Sequence, residues 1–309
     1  MSRQHQHWAQ IRESTSIAGI RFLLGTYRLM GRGPFRLLLV CILLYYWVRK
    51  PLWRQSITKF HRHVSKKEKI SFRTQFTHMM RFGETILDKF LAASGELHAK
   101  DLYVENADIF HNDSAQQGAI LLTSHMGCQE LLGVASLTHT PHPIVVLQAT
   151  HHAKDFQKLL QKAGLAKSHL HFLEIHVFTP QTAMRLDDWV QKGAYIVIAG
   201  DRTPVQHSSA TMEHVFLDDL ATWPTGGAYL AMVLHVPLRM MTCTRTECPN
   251  MPRYRVRFVE ISSQKLVSRA QRTLYLQDAL ATYVRRLENE VRQHPYDWFN
   301  FFSFWKESQ

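Results

Sequence analysis

Six short apolar runs between residues 118 and 260 alternate with stretches of helical period, and this alternation narrows the possible folds more than any other feature of the chain. The runs are "GAILLTS" (118–124), "PIVVLQA" (143–149), "HFLEIHVF" (171–178), "AYIVIAG" (194–200), "VPLRMMTCT" (236–244) and "RYRVRFVE" (253–260). Helix-like stretches fall between several of them, at 128–138, 153–163, 180–192 and 226–234. Strands and helices in alternation predict an α/β layer fold, with a mixed, largely parallel sheet flanked by helices. Ligands of such sheets gather at the carboxyl ends of the strands. Two amphipathic helices complete the expectation. One runs over 66–92, with Phe72, Phe76, Met79, Ile86, Leu87 and Phe90 in register, and one over 270–293, with Leu280, Tyr283, Val284, Leu287 and Val291 on one face.

The 309 residues divide into an apolar, basic segment (1–60) and one large domain (61–309). Within the first, "RLLLVCILLYYWV" carries an uninterrupted apolar run only from Leu37 to Val48, 12 residues, where a spanning helix needs roughly 20. The run starts late for a signal peptide and lacks a small-residue cleavage site. Arg28, Arg32 and Arg36 precede it and Arg49, Lys50 and Arg54 follow it, so loop charge sets no orientation. Flanking cations with Trp47 and Trp53 suit a helix dipped into one leaflet. The alternative is a helix capping the core.

A net charge of +12 attracts polyanions: nucleic acid, anionic lipid headgroups or an acidic protein. No zinc-finger spacing, RNP-like strand motif or concentrated basic helix supports the first. Cys41, Cys128, Cys243 and Cys248 form no CxxC pair, which fits a reducing compartment. In "HLHFLEIH", His169 and His171 share a strand face but His176 points to the other, so a metal site is not expected there.

His125 stands out. A His with a carboxylate five residues later also occurs at His63/Glu68, His169/Glu174 and His214/Asp219, so the spacing alone is weak. Only "SHMGCQE" follows a strand-like run, contains a glycine and opens a helix. Placed in that turn, His125 can meet Glu130, which would fix its tautomer and leave the other nitrogen as a base. Cys128 and Ser124 read as packed and turn residues rather than nucleophiles.

At these residues the chain resembles the lysophospholipid acyltransferase superfamily, and within it the lipid A lauroyl/myristoyl acyltransferase-like branch. An H-x4-D/E motif follows a hydrophobic strand there, as in "SHMGCQE"; "VIAGDRTPV" (197–205) and "ATWPTGGAYLAM" (221–232) resemble two further blocks in order and approximate spacing. The N-terminal stretch 6–36 with the terminal "WFNFFSFW" (298–305) resembles a bacterial subgroup associated with fatty-acid-like or aryl-polyene lipid assembly.

The resemblance implies an O-acyltransferase on a glycerolipid acyltransferase-like fold. His125 would be the general base and Glu130 its orienting partner. Asp201 and Arg202 would contact substrate, and Thr225 with Gly226 would offer backbone N–H groups to an anion. For Asp201 and Arg202 the alternative is a turn cap and its ion-pair partner, and for the glycines close packing. The acyl donor would be acyl carrier protein, which is acidic, or acyl-CoA; the acceptor would be a lipid or glycolipid hydroxyl. No metal or other cofactor is implied, nor nucleic acid as a partner. The setting would be the cytoplasmic face of a bacterial inner membrane, whose lipids are anionic. One departure bears on the acceptor: where the branch carries an Arg after the second strand, this chain has "THHAKDFQK", with Lys154 or Lys158 as substitutes. "WFNFFSFW" admits three readings: core packing, an acyl-channel wall or an interfacial anchor. Rival functions are a thioester hydrolase on the same fold and a non-catalytic membrane- or nucleic-acid-binding protein.

Overall fold

The computed structural model describes residues 17–111, 118–139, 142–148, 170–174, 179–203, 211–248, 250–263 and 266–305. Three helices, α1 (Ile17–Met30), α2 (Arg32–Arg49) and α3 (Pro51–Ser65), lead into a long α4 (Phe72–Ala93). There follow β1 (Leu102–Glu105), α5 (Asp108–His111), β2 (Ala119–Thr123), α6 (Leu131–His139), β3 (Ile144–Gln148), β4 (Leu170–Glu174), α7 (Pro180–Gln191) and β5 (Tyr195–Ala199). The chain then makes a hairpin of β6 (Thr211–Phe216) and β7 (Asp219–Pro224), and ends with α8 (Gly226–Val233), β8 (Leu238–Arg245), β9 (Tyr254–Ser262) and α9 (Arg272–Gln293).

The seven-stranded sheet has the order β1-β9-β8-β2-β5-β3-β4. Its five strands from β8 to β4 run parallel, and β9 and β1 run against them. The sheet is therefore mixed and mostly parallel, with helices on both faces. Successive residues of β2 point to opposite layers: Leu121 belongs to the apolar cluster that holds Met79 and Leu87 of α4, and Ile120 to the one that holds Leu186 of α7 and Leu287 of α9. Such two-sided burial is why the central strands read as continuous apolar runs.

All six expected strands are present. The continuation to 178 in the third, the helix at 153–163, Lys154 and Lys158 lie outside the described residues. Helix α4 begins at Phe72 rather than 66, because Ser71 caps it by accepting from the Thr74 N–H at 3.1 Å. Strand β1 and the pairing of β6 with β7 escaped the sequence reading, which had only a short strand around His214: β1 has four residues, and "TMEHVF" is half polar and half exposed.

Helix α2 is apolar on two sides. Phe35, Leu39 and Leu43 are buried, while Leu37, Leu44, Tyr45 and Val48 are exposed. No helix among the described residues is long and apolar enough to cross a membrane. Helix α2 is tied to the domain through Asp88 of α4, whose side chain is wholly buried. Its carboxylate accepts from Arg32 at 2.9 Å, Arg245 at 2.9 Å, Arg253 at 2.8 Å and the Tyr254 hydroxyl. Glu84, one turn earlier, pairs with Arg36 and Arg245.

Removing one side of a buried ionic cluster strands the other. Asp88→Ala is expected to cost about 3–5 kcal/mol in urea unfolding. Arg28→Ala, which breaks only the exposed Arg28–Glu96 pair, is expected to cost about 1 kcal/mol or less.

Candidate active site

The central strand β2 ends at Thr123, and the chain turns sharply so that His125 stands at the carboxyl edge of the sheet. Gly127 makes the turn possible. Its φ is +60°, and a Cβ there would lie 2.1 Å from the Cys243 carbonyl oxygen, so no other residue fits without displacement. The C-terminal segment clips the turn from the far side. The Gly127 N–H donates to the Asp297 carbonyl at 2.7 Å, and the Phe299 N–H donates to the His125 carbonyl at 2.8 Å.

The neighbouring strand β5 brings the next residue in. The Gly200 N–H donates to the Thr123 carbonyl at 2.8 Å, and the Tyr283 hydroxyl donates to the same oxygen at 2.9 Å. The Tyr283 ring occupies the space a Gly200 side chain would need. One residue later Asp201 faces His125. Its Oδ1 accepts from His125 Nδ1–H at 2.7 Å, and its Oδ2 accepts from the His125 backbone N–H at 2.7 Å and the Trp298 indole N–H at 3.2 Å. Burial works against the Asp201 charge, but His125 and Arg202 outweigh it and hold the carboxyl below its usual range.

His125 is displaced downward as well. Desolvation is the first cause and the Arg202 cation the second; Asp201 opposes both, and Lys89 adds to the lowering. The imidazole is therefore neutral near pH 7, its proton is on Nδ1, and Nε2 has no hydrogen-bond partner among the described residues. The side chain is 31% exposed while that of Asp201 is 3% exposed. This is the arrangement of a general base: an oriented ring, a buried carboxylate to stabilise the imidazolium, and an accessible lone pair.

The partner expected from the sequence is corrected here. Glu130 does not hydrogen-bond to His125; its Oε1 accepts from Lys89 Nζ at 3.1 Å. At Cys128 the chain passes into the start of α6, which turns the Glu130 carboxylate toward α4. The Glu130–Lys89 ion pair joins α6 to α4 beside His125, and the Arg202 cation next to Asp201 acts on both Asp201 and His125 electrostatically. Burial opposes the Lys89 charge, Glu130 outweighs it, and the ammonium is held above its ordinary range. The Arg202 guanidinium lies 5.7 Å from the Phe302 ring centre, and burial lowers its pKa against the pull of Asp201.

Thr225 and Gly226 stand at the start of α8, on the same edge of the sheet. Thr225, Leu122, Gly200, Ala228 and Tyr283 line a small gap of about 10 Å³, room for one water at most. A Cβ on Gly227 would collide with Leu122, so that glycine serves packing, whereas Gly226 has open space around it. A larger cleft, about 430 Å³, lies by β4 with His171, Arg185 and Trp189 in its wall and holds no candidate residue. His169 and His176 lie outside the described residues, and no metal-holding cluster occurs among those described. Burial pushes the Cys128 thiol far up, which suits a packed residue and not a nucleophile. The Ser124 hydroxyl is buried without a hydrogen-bond partner among the described residues, so no base among them activates it.

No family model matches the chain, and no curated protein matches it. Three residues of the site had no motif to announce them. Lys89 is a polar position on an amphipathic helix, Tyr283 belongs to the apolar stripe of α9, and Trp298 sits in an aromatic tail that reads equally well as core. The only usable signal was the indole N–H, since a buried tryptophan needs an acceptor.

The charges around His125 set the sign of each expected shift. In a ¹³C/¹⁵N NMR titration His125 should protonate below pH ~6.5, the ordinary midpoint. Arg202→Gln removes a cation and should raise that midpoint. Asp201→Asn removes the anion and should lower it further. A midpoint that moves the other way in either variant contradicts the assignment.

Proposed function

We propose that the protein is an O-acyltransferase of the lysophospholipid acyltransferase type, close to the lipid A lauroyl/myristoyl branch. In this reading it moves a fatty or polyene acyl chain from an acyl-carrier-protein or CoA thioester to a hydroxyl of a lipid or glycolipid. The observation that carries the reading is the His125–Asp201 pair, a neutral imidazole with Nδ1 held by a buried carboxylate and Nε2 unpartnered, at the carboxyl edge of a largely parallel sheet.

The chemistry follows from that pair. His125 Nε2 takes the proton of the acceptor hydroxyl, and the oxygen attacks the thioester carbonyl carbon. The C=O π electrons move onto oxygen and make a tetrahedral oxyanion. Its collapse re-forms the carbonyl and breaks the C–S bond, and the imidazolium returns its proton to the departing sulfur. Asp201 stabilises the imidazolium between these steps. Arg202 and Lys89 bias the surroundings toward negative charge, which favours the oxyanion and the phosphates of a pantetheine donor. Glu130 acts in this scheme by holding Lys89, and Thr225 and Gly226 border the same edge as substrate contacts. No cofactor besides the thioester co-substrate is invoked. The gap beside Thr225 is too small for an acyl chain, so the reading rests on the pair and the sequence motifs, not on a chain-length cavity.

The membrane part of the reading draws on α2. Its exposed Leu37, Leu44, Tyr45 and Val48, bordered by Arg49 and Lys50, suit a helix lying in one leaflet with cations among anionic headgroups. In this reading the attachment is monotopic, at the cytoplasmic face of a bacterial inner membrane.

Purified protein incubated with isotope-labelled acyl-carrier protein and host lipid extract should yield an acylated lipid detectable by mass spectrometry. His125→Ala and Asp201→Asn should each lower its rate about 10²- to 10⁴-fold. Transfer by His125→Ala at the wild-type rate would sink the mechanism. Free fatty acid as the sole product would reassign the pair to thioester hydrolysis.

A further inference from the structure

Two histidines with no part in the chemistry above are buried together behind the site. His61 of α3 is 4% exposed and His78 of α4 not at all. His61 Nε2 lies 3.0 Å from His78 Nδ1, and His78 Nε2 lies 3.0 Å from the Trp298 carbonyl oxygen. Phe60, Tyr296 and Phe301 surround the rings. A carbonyl oxygen only accepts, so His78 carries its proton on Nε2. Its Nδ1 is then an acceptor and must be served by His61 Nε2–H. Burial keeps both rings neutral, lowering His61 to about 4 and His78 well below the usual histidine range.

Two polar rings in an aromatic core are costly unless each hydrogen bond is made. An apolar pair would fill the same volume without that demand. What the histidines hold is one peptide, and its residue is the one whose indole reaches Asp201. Trp298 is gripped at its carbonyl by His78 and by the Asn300 N–H at 3.2 Å, and its indole N–H ends 3.2 Å from Asp201 Oδ2. The path runs without a break from His61 through His78, the Trp298 peptide and its indole to Asp201 and His125.

We propose that His78, oriented by His61, is a positioning residue that sets the Trp298 indole against Asp201 and thereby the orientation of His125. The proposal rests on the reading of His125 as a base, but its first test does not. A glutamine at 78 can place an amide N–H where Nε2 stands, whereas an asparagine reaches only the Nδ1 position and can serve His61 but not Trp298. Both keep an amide in the core, so the comparison isolates the bond to Trp298 from the general cost of the substitution.

The readout is the Trp298 indole ¹H–¹⁵N resonance, assigned with Trp298→Phe. His78→Asn should move it toward the position of an indole without a carboxylate acceptor, and His78→Gln should leave it near the wild-type position. With acyl transfer as the assay, His78→Asn should lower kcat roughly five- to tenfold, the worth of one hydrogen bond, at unchanged KM, and His78→Gln should restore it. If Asn and Gln leave the resonance unmoved, or move it equally, the proposal is overturned whatever reaction the protein performs. Should His78→Asn fail to fold, His61→Leu takes its place with a smaller shift in the same direction expected, and no shift overturns the proposal. Wild-type transfer by His125→Ala would overturn the base reading alone, since the indole shift would still report the hold of His78.

Discussion

The carboxylate of Asp201 is the interaction on which the site depends. It is buried, and burial alone would favour its neutral form. His125 and the Arg202 cation reverse that preference, and three donors hold the group in place: the His125 ring, the His125 backbone N–H and the Trp298 indole. Each comes from a different constraint on the chain. The backbone N–H is available because β2 ends at Thr123, the ring because Gly127 allows the turn, and the indole because the C-terminal segment folds back across both. A carboxylate so held is fixed in position and charge, and it can then fix the imidazole.

The same segment explains why the domain extends to a long terminal helix and an aromatic tail. Residues 297–299 bridge to residues 125–127 in antiparallel fashion. Trp298, Phe299 and Trp305 are buried, which places most of the tail's aromatic mass in the core. Core packing is therefore the role the structure shows for these residues. Helix α2 is secured by different means, through the arginines gathered on Asp88 and Glu84. That arrangement joins α2 to α4 and to the ends of β8 and β9 while leaving the outer apolar side of α2 exposed.

Much of the architecture was legible because it depends on local periodicity. The strands around Ile120, Val145, Ile196 and Met240 are apolar on both faces, and α4 and α9 carry regular stripes, so pattern alone located them. His125 was legible for a similar reason, being a polar residue where an apolar strand stops and a helix begins. Its partner was not. The five-residue spacing to Glu130 pointed to the nearest carboxylate in sequence, whereas the acceptor at Nδ1 lies 76 residues away, in the turn after the adjacent parallel strand. Asp201 was singled out as a substrate contact, but its bond to His125 was not foreseen. The contacts of Lys89 and Trp298 were not read from the sequence, because their neighbours are distant along the chain and their own segments have an ordinary structural explanation.

By itself, then, the sequence determined the layer fold, the order of its central elements and the edge of the sheet where His125 stands, because hydrophobic period and turn residues act over a few positions. Only the tertiary structure decided which carboxylate faces the imidazole and which cations surround it. Strand order, not chain order, sets those distances: β2 lies beside β5, and the C-terminal segment closes over both.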